Sequence, residues 1–172
     1  MLTKISPSKI IKDHFSTFKN DETGRKMISD YFLFFLVPSI IAILICVFAD
    51  PKVIIKNLVD TLITSISIFA ALLFNLLSLV FDLVQKINDV ENKEKNLQKR
   101  EFLRQIYSNI SYSIFISIIS VILLLLFKSF DNLIWLQNFL CFFSFTFIGN
   151  FLLTLIMILK RIHSLFTVEF DL

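Results

Sequence analysis

The sequence predicts an all-α integral membrane protein with four transmembrane helices. The second and third helices extend into a cytoplasmic helical hairpin, and an amphipathic helix precedes the first. Of the 172 residues, 56% are hydrophobic and 18% are charged, whereas a soluble domain carries about 25% charged residues. The apolar residues form four long blocks rather than alternating half-faces. At about 1.5 Å per helical residue, each block can cross about 30 Å of hydrocarbon.

Residues 1–30 form a polar lead-in with six Lys and Arg residues. The pattern after Pro7 predicts a short amphipathic helix, since the apolar side chains recur at helical spacing. One face of this helix would carry Ile10, Ile11, His14, Phe15 and Phe18. Such a basic helix either lies in the membrane interface or packs on the protein's own cytoplasmic part. We expect no ligand-binding or catalytic role for His14.

The four predicted spans cover residues 31–49, 57–81, 107–127 and 133–159. Tyr31 and Trp135 are placed to anchor the first and fourth spans at the membrane interface. Pro38 lies inside the first span, where we expect a kink. Residues 50–52, Asp-Pro-Lys, predict a short turn, and residues 160–172 predict a cytoplasmic tail.

Residues 82–106 differ sharply in composition from the flanking spans, because basic and acidic residues are interleaved there without Gly or Pro. A heptad-like spacing of the apolar residues predicts a helical hairpin that continues the second and third spans into water. The hairpin is either a solvated connector or a docking surface for a soluble partner. The basic residues of this docking surface would be Lys93, Lys95, Lys99, Arg100 and Arg104.

The distribution of Lys and Arg predicts the orientation in the membrane. Fourteen of the seventeen lie in the lead-in, the central segment and the tail, and only Lys52, Lys56 and Lys128 lie near the other two loops. Because cytoplasmic loops carry the excess of Lys and Arg, both termini and the hairpin are predicted to be cytoplasmic.

Polar residues recur at steps of three or four in the last three spans, so each span carries a polar stripe. An amide in mid-membrane needs a partner, so Asn75 and Asn150 should face protein or water. The stripes either form hydrogen bonds between helices or line a pore with Asp82 at its cytoplasmic mouth. The predicted stripe residues are Thr64, Ser67, Asn75, Ser78 and Asp82, then Asn109, Ser113 and Ser117, then Thr146, Asn150 and Thr154.

Catalytic and cofactor-binding patterns are absent from the sequence. Two histidines and two glycines leave no metal-ligand cluster and no phosphate-binding loop, and no G-x-S-x-G or H-E-x-x-H occurs. We therefore expect no enzymatic activity, no cofactor and no direct binding of nucleic acid. Cys46 and Cys141 lie at comparable predicted depth, and whether they form a disulfide stays open at this point.

In its size, its two cytoplasmic termini and its charged hairpin between Asp82 and Ile106, the chain resembles small four-span proteins of bacterial anti-phage defence operons, such as the membrane subunit of Kiwa-type systems. The abundance of Ile, Lys, Asn and Phe also fits an AT-rich bacterial genome. The resemblance implies a subunit that senses or executes a response to infection at the membrane. We predict a bacterial inner-membrane subunit that forms homo-oligomers and docks a cytoplasmic protein; the alternative is a homo-oligomeric channel or pore.

Overall fold

A computed structural model describes residues 7–18, 28–88, 93–130 and 133–170. These residues contain no β-strand, and four of their helices are long and apolar enough to cross a membrane. The prediction of an all-helical chain with four candidate spans is therefore confirmed. The helices are α1 (Ser8–Ser16), α2 (Ile28–Phe48), α3 (Pro51–Asn57), α4 (Val59–Asn88), α5 (Lys93–Ser129) and α6 (Ile134–Phe170).

The four long helices pack in the order α4, α5, α6, α2, and α1 packs against α5. The two helices in the middle of this row are more enclosed than the two at its edges. In the most apolar windows, 44% of α5 but only 17% of α4 and 17% of α2 is buried within the chain. The edge helices α2 and α4 therefore present most of their circumference outward.

Two apolar clusters fill the bundle, one toward each end. The cluster near α1 includes Ile110, Ile116 and Phe151, and the other includes Leu124 and Phe127. Because lipid is as apolar as these side chains, their burial drives association less than in water, and close packing and hydrogen bonds hold the helices together.

The crossing of α2 and α6 is close because Gly149 faces Pro38. A Cβ added to Gly149 would lie 2.8 Å from the Cβ of Pro38, closer than two such atoms can approach. Glycine at this position therefore lets the backbone of α6 approach the proline ring, as small residues do in many membrane helix pairs.

The structure differs from the sequence prediction at residues 50–57. A short turn is predicted at residues 50–52, but Pro51 begins the two-turn helix α3, and the carbonyl of Asp50 accepts hydrogen bonds from its first free amides. The N–H groups of Val53 and Ile54 donate to that oxygen at 3.0 and 3.1 Å. Proline suits the first helical position because it has no N–H to leave unpaired there.

The helices also run beyond the predicted spans. Residues 82–88 belong to α4, residues 93–106 belong to α5, and α6 continues through the predicted tail to Phe170. Residues 89–92, where the predicted hairpin would turn, lie outside the described residues, so the hairpin stays a prediction. The same holds for the parts of the lead-in at residues 1–6 and 19–27.

The two ends of the bundle carry different features. At one end, α1 packs against α5 and the Arg161 side chain of α6 reaches Thr17. At the other end, the ammonium group of Lys128 contacts both carboxylate oxygens of Asp60 at 2.7 and 2.9 Å and joins α5 to α4. The relation of these ends to the two sides of a membrane stays a prediction.

Candidate functional site

The predicted polar stripes lie in two different environments. The stripe residues of α5 are buried within the bundle, as are Asn150 and Thr154 of α6, while Thr146 is half-buried. All five stripe residues of α4, by contrast, are exposed. The three stripes therefore do not meet in one interior channel of the single chain.

Asn150 satisfies a backbone carbonyl that Pro38 leaves without its usual donor. In a continuous helix the oxygen of Phe34 would accept the N–H of residue 38, but proline has no N–H. The side-chain Nδ2 of Asn150 donates to this oxygen at 2.9 Å. Pro38 of α2 and the Asn150 amide of α6 thus form one unit, in which the side-chain amide replaces a missing backbone hydrogen bond.

Asn109 is the centre of a buried polar cluster where α1 docks. Its Oδ1 lies 2.9 Å from Nδ1 of His14 and 3.1 Å from the Thr17 hydroxyl. That hydroxyl also lies 2.7 Å from the carbonyl oxygen of His14. Nη2 of Arg161 donates to the carbonyl oxygen of Thr17 at 2.8 Å, so α1, α5 and α6 are joined at this point.

Aromatic rings enclose the His14 imidazole. The ring is fully buried and stacks on Tyr112, with centroids 3.7 Å apart and planes 3° apart. Phe18 and Phe34 meet it edge-on. Burial lowers the pKa of His14 to about 4; the Asn109 hydrogen bond opposes this change, and the charge of Arg161 adds to it. The imidazole is therefore neutral at neutral pH.

Five buried polar atoms have no hydrogen-bond partner among the described residues. They lie on α1, α5 and α6 and are distributed along the bundle interior. Sequence analysis missed two of their residues, Gln137 and Ser144, although both share a helical face with Cys141 at steps of four and three. The five atoms are Nε2 of His14, Nδ2 of Asn109, Oγ of Ser113, Nε2 of Gln137 and Oγ of Ser144.

We call Thr64, Ser67, Ala71, Asn75, Ser78 and Asp82 the polar face of α4. Three of these residues, Thr64, Ala71 and Ser78, each lie two positions before a side chain buried against the bundle. Two residues turn a helix by about 200°, so these three residues lie on the side of α4 opposite its buried side chains.

Asn75 differs from the hydroxyl residues of the polar face of α4. Thr64, Ser67 and Ser78 donate to the carbonyl four residues earlier, at 2.9, 2.7 and 3.4 Å. The Asn75 amide has no hydrogen bond within the described part of the chain, and it lies near the middle of the candidate span Val59–Lys86. In a membrane, an amide at that position needs a partner from outside the described residues.

The polar face of α4 ends at a cleft between α4 and α5. This cleft has a volume of about 430 Å³, and Asp82 supplies its carboxylate. The other lining residues are Leu77, Ser78, Phe81 and Tyr107.

The predicted docking residues are only partly described. Arg100 is exposed and Lys99 is half-buried. Arg104 forms two hydrogen bonds with Glu101 of its own helix, at 3.0 and 2.9 Å, and exposed pairs of this kind contribute little stability. The side chains of Lys93 and Lys95 lie outside the described residues.

Comparison with known protein families, with curated proteins and with solved structures finds no match to this chain. Within the described ranges, no three His, Cys, Asp or Glu side chains group closely enough to hold a metal ion.

Proposed function

We propose that this chain is a membrane subunit that assembles with further copies of itself through the polar face of α4. We propose also that it binds a cytoplasmic protein through the charged residues of segment 82–106. The observation that carries the first part is the outward Asn75 amide, near mid-span and without a partner in the described chain. The amide of Asn150, by contrast, is buried and donates a hydrogen bond to the carbonyl oxygen of Phe34.

A second copy is the occupant that suits this face best. An amide both donates and accepts, so Asn75 can pair with Asn75 of a copy related by a two-fold axis along the membrane normal. Ser67 and Ala71 are small and let the two helices approach. Among the four long helices, α4 stands at the edge of the row and packs mainly against α5.

Replacing Asn75 with leucine should weaken self-association in liposomes about tenfold, because an interhelical hydrogen bond in a membrane contributes up to about 1.7 kcal/mol. Energy transfer between donor-labelled and acceptor-labelled copies, measured over a series of protein-to-lipid ratios, reports this change. Asn75→Gln, which keeps an amide, is the control and should retain most of the association. Equal association of the Leu variant and the native chain would count against the interface.

A pore is the second candidate function, and the exposed line from Thr64 to Asp82 favours it. A ring of copies with these faces inward would present hydroxyls, an amide and a carboxylate to a central aqueous path. Measurements of conductance in planar bilayers, together with measurements of assembly, distinguish the two candidate functions. If Asn75→Leu copies still assemble but lose a conductance that the native chain has, the face lines a pore. If assembly itself is lost and the native chain never conducts, the face joins subunits.

Charge reversal tests the predicted docking surface. Changing Lys93, Lys95, Lys99 and Arg100 together to glutamate should weaken binding of a co-purifying soluble partner at least about tenfold, since like charges then meet across the contact. The control is Lys160→Glu, an exposed lysine on α6 outside this segment. Retention of the partner by the fourfold variant would remove the segment as the docking site.

A role in defence against phage is the part of the proposal supported by resemblance alone. It predicts that a strain expressing the chain with its neighbouring genes resists phage, and that deleting the chain restores plaque formation. Equal plaque numbers with and without the chain would remove the defence role and leave the membrane-subunit proposal standing.

A further inference from the structure

Cys46 and Cys141 face each other across the contact between α2 and α6. The sulfur of Cys46 lies 3.9 Å from the carbonyl oxygen of Asn138, which is three residues before Cys141 on α6. Cys141 is buried in the apolar cluster against which Cys46 packs, and both cysteines are free. The Cys46 sulfur on α2 thus lies within one helical turn of Cys141 on α6.

We propose that Cys46 and Cys141 form a reversible disulfide that links α2 to α6. The two residues belong to the same apolar cluster, at the end of the bundle opposite α1. With the predicted orientation this end faces the periplasm, where disulfides persist once formed. The link is a modification of the chain and is independent of the α4 interface.

The reaction is an exchange with a small-molecule disulfide such as oxidised glutathione. Cys46 is half-buried and Cys141 is fully buried, so Cys46 meets the oxidant first. Its thiolate attacks one sulfur of the oxidant and forms a mixed disulfide with it, while the other sulfur of the oxidant leaves as a thiolate and takes up the proton that Cys46 lost. The Cys141 sulfur then displaces the second half of the oxidant from Cys46 and transfers its proton to that leaving group. The protein loses two hydrogens, and one disulfide is reduced to two thiols.

A covalent link here would act on a helix at the edge of the row of four long helices. The main packing partner of α2 is α6. The other specific contacts between these helices are the approach of Gly149 to Pro38 and the hydrogen bond from Asn150 to Phe34. The disulfide would hold the Cys46 end of α2, which lies beyond both contacts along the helix.

The test uses the full chain in mild detergent, treated with oxidised glutathione at pH 8. After quenching with acid, the protein is unfolded in the presence of a maleimide polymer that adds mass to each free thiol. The untreated chain should take two labels. The oxidised chain should take none, run as a monomer on a non-reducing gel and lose the mass of two hydrogens. Dithiothreitol should restore both labels.

The disulfide should form only if the thiol on α2 lies close to Cys141, so the control is a variant in which this thiol is moved by one residue. The double variant Cys46→Ser with Val47→Cys moves the thiol by one residue to a side chain that is 70% exposed and points away from α6. This variant should keep both labels or form dimers under the same treatment. The proposal is overturned if the native chain keeps both labels, if it oxidises only to dimers, or if the displaced pair closes internally as fast as the native pair.

Discussion

Replacing Asn150 with leucine will lower the free energy of unfolding by about 2 kcal/mol, and replacing Pro38 with alanine will remove most of that loss. The reason is that Asn150 supplies the donor that Pro38 denies to the carbonyl of Phe34. Leucine leaves this buried oxygen without a partner, which costs about 1–3 kcal/mol. Alanine at residue 38 restores a backbone N–H that can donate to the same oxygen. In that background the Asn150→Leu substitution therefore removes a donor that the oxygen no longer needs.

The double-mutant cycle isolates this coupling from the other effects of each change. The Pro38→Ala variant also alters the packing of its side chain against Gly149, but that change is present in both Pro38 variants and cancels. Unfolding by sodium dodecyl sulfate in mixed micelles, followed by circular dichroism, gives the four free energies. We expect a coupling of at least about 1 kcal/mol. An equal cost of Asn150→Leu in both backgrounds would mean that the amide serves another purpose.

The fold was predictable because it depends on run length and composition. A stretch of about twenty apolar residues has few alternatives to a spanning helix, since backbone groups in lipid must be satisfied within the segment. Four such stretches therefore identify the four candidate spans. The short helix α3 was missed because Asp-Pro-Lys is typical both of a turn and of a helix start, and only its packing against α4 and α6 decides between them.

The direction of the polar stripes was not predictable from one sequence. Stripes at the same spacing occur on α4 and α5, but Asn75 is exposed and Asn109 is buried. Periodicity fixes which residues share a face of a helix, whereas the neighbouring helices fix where that face points. One contact could have been inferred from chemistry: a proline inside a span leaves the carbonyl four residues earlier without its N–H donor, and Asn150 was an available amide.

Acidification will release α1 from the bundle, and most of the change will fall between pH 6.5 and about 4. In the docked state, burial holds the pKa of His14 at about 4, against an ordinary value of 6.5. Undocked α1 therefore binds a proton more readily than docked α1. The stabilisation is fully present above pH 6.5, is lost progressively as the pH falls, and changes little further below pH 4.

The size of this effect follows from the two pKa values. The difference between them corresponds to about 3 kcal/mol, or about two orders of magnitude in the docking equilibrium. Burial disfavours the charged imidazole, and the Arg161 guanidinium nearby opposes the charge as well. α1 lies outside the four candidate spans, so its release does not require a spanning helix to leave the bundle.

Hydrogen exchange of the amides in Ser8–Ser16, read by mass spectrometry and corrected for the intrinsic effect of pH, measures this docking. His14→Asn is the control, because its amide can still donate to Asn109 but does not titrate. That variant should dock more weakly than the native chain at pH 7, since it lacks the aromatic stack, and its protection should not fall between pH 6.5 and 4. All other titratable groups are the same in both chains, so an equal fall in both would assign the acid sensitivity to those groups and not to His14. A fall confined to the native chain would identify the buried imidazole as the group that couples protonation to the position of α1.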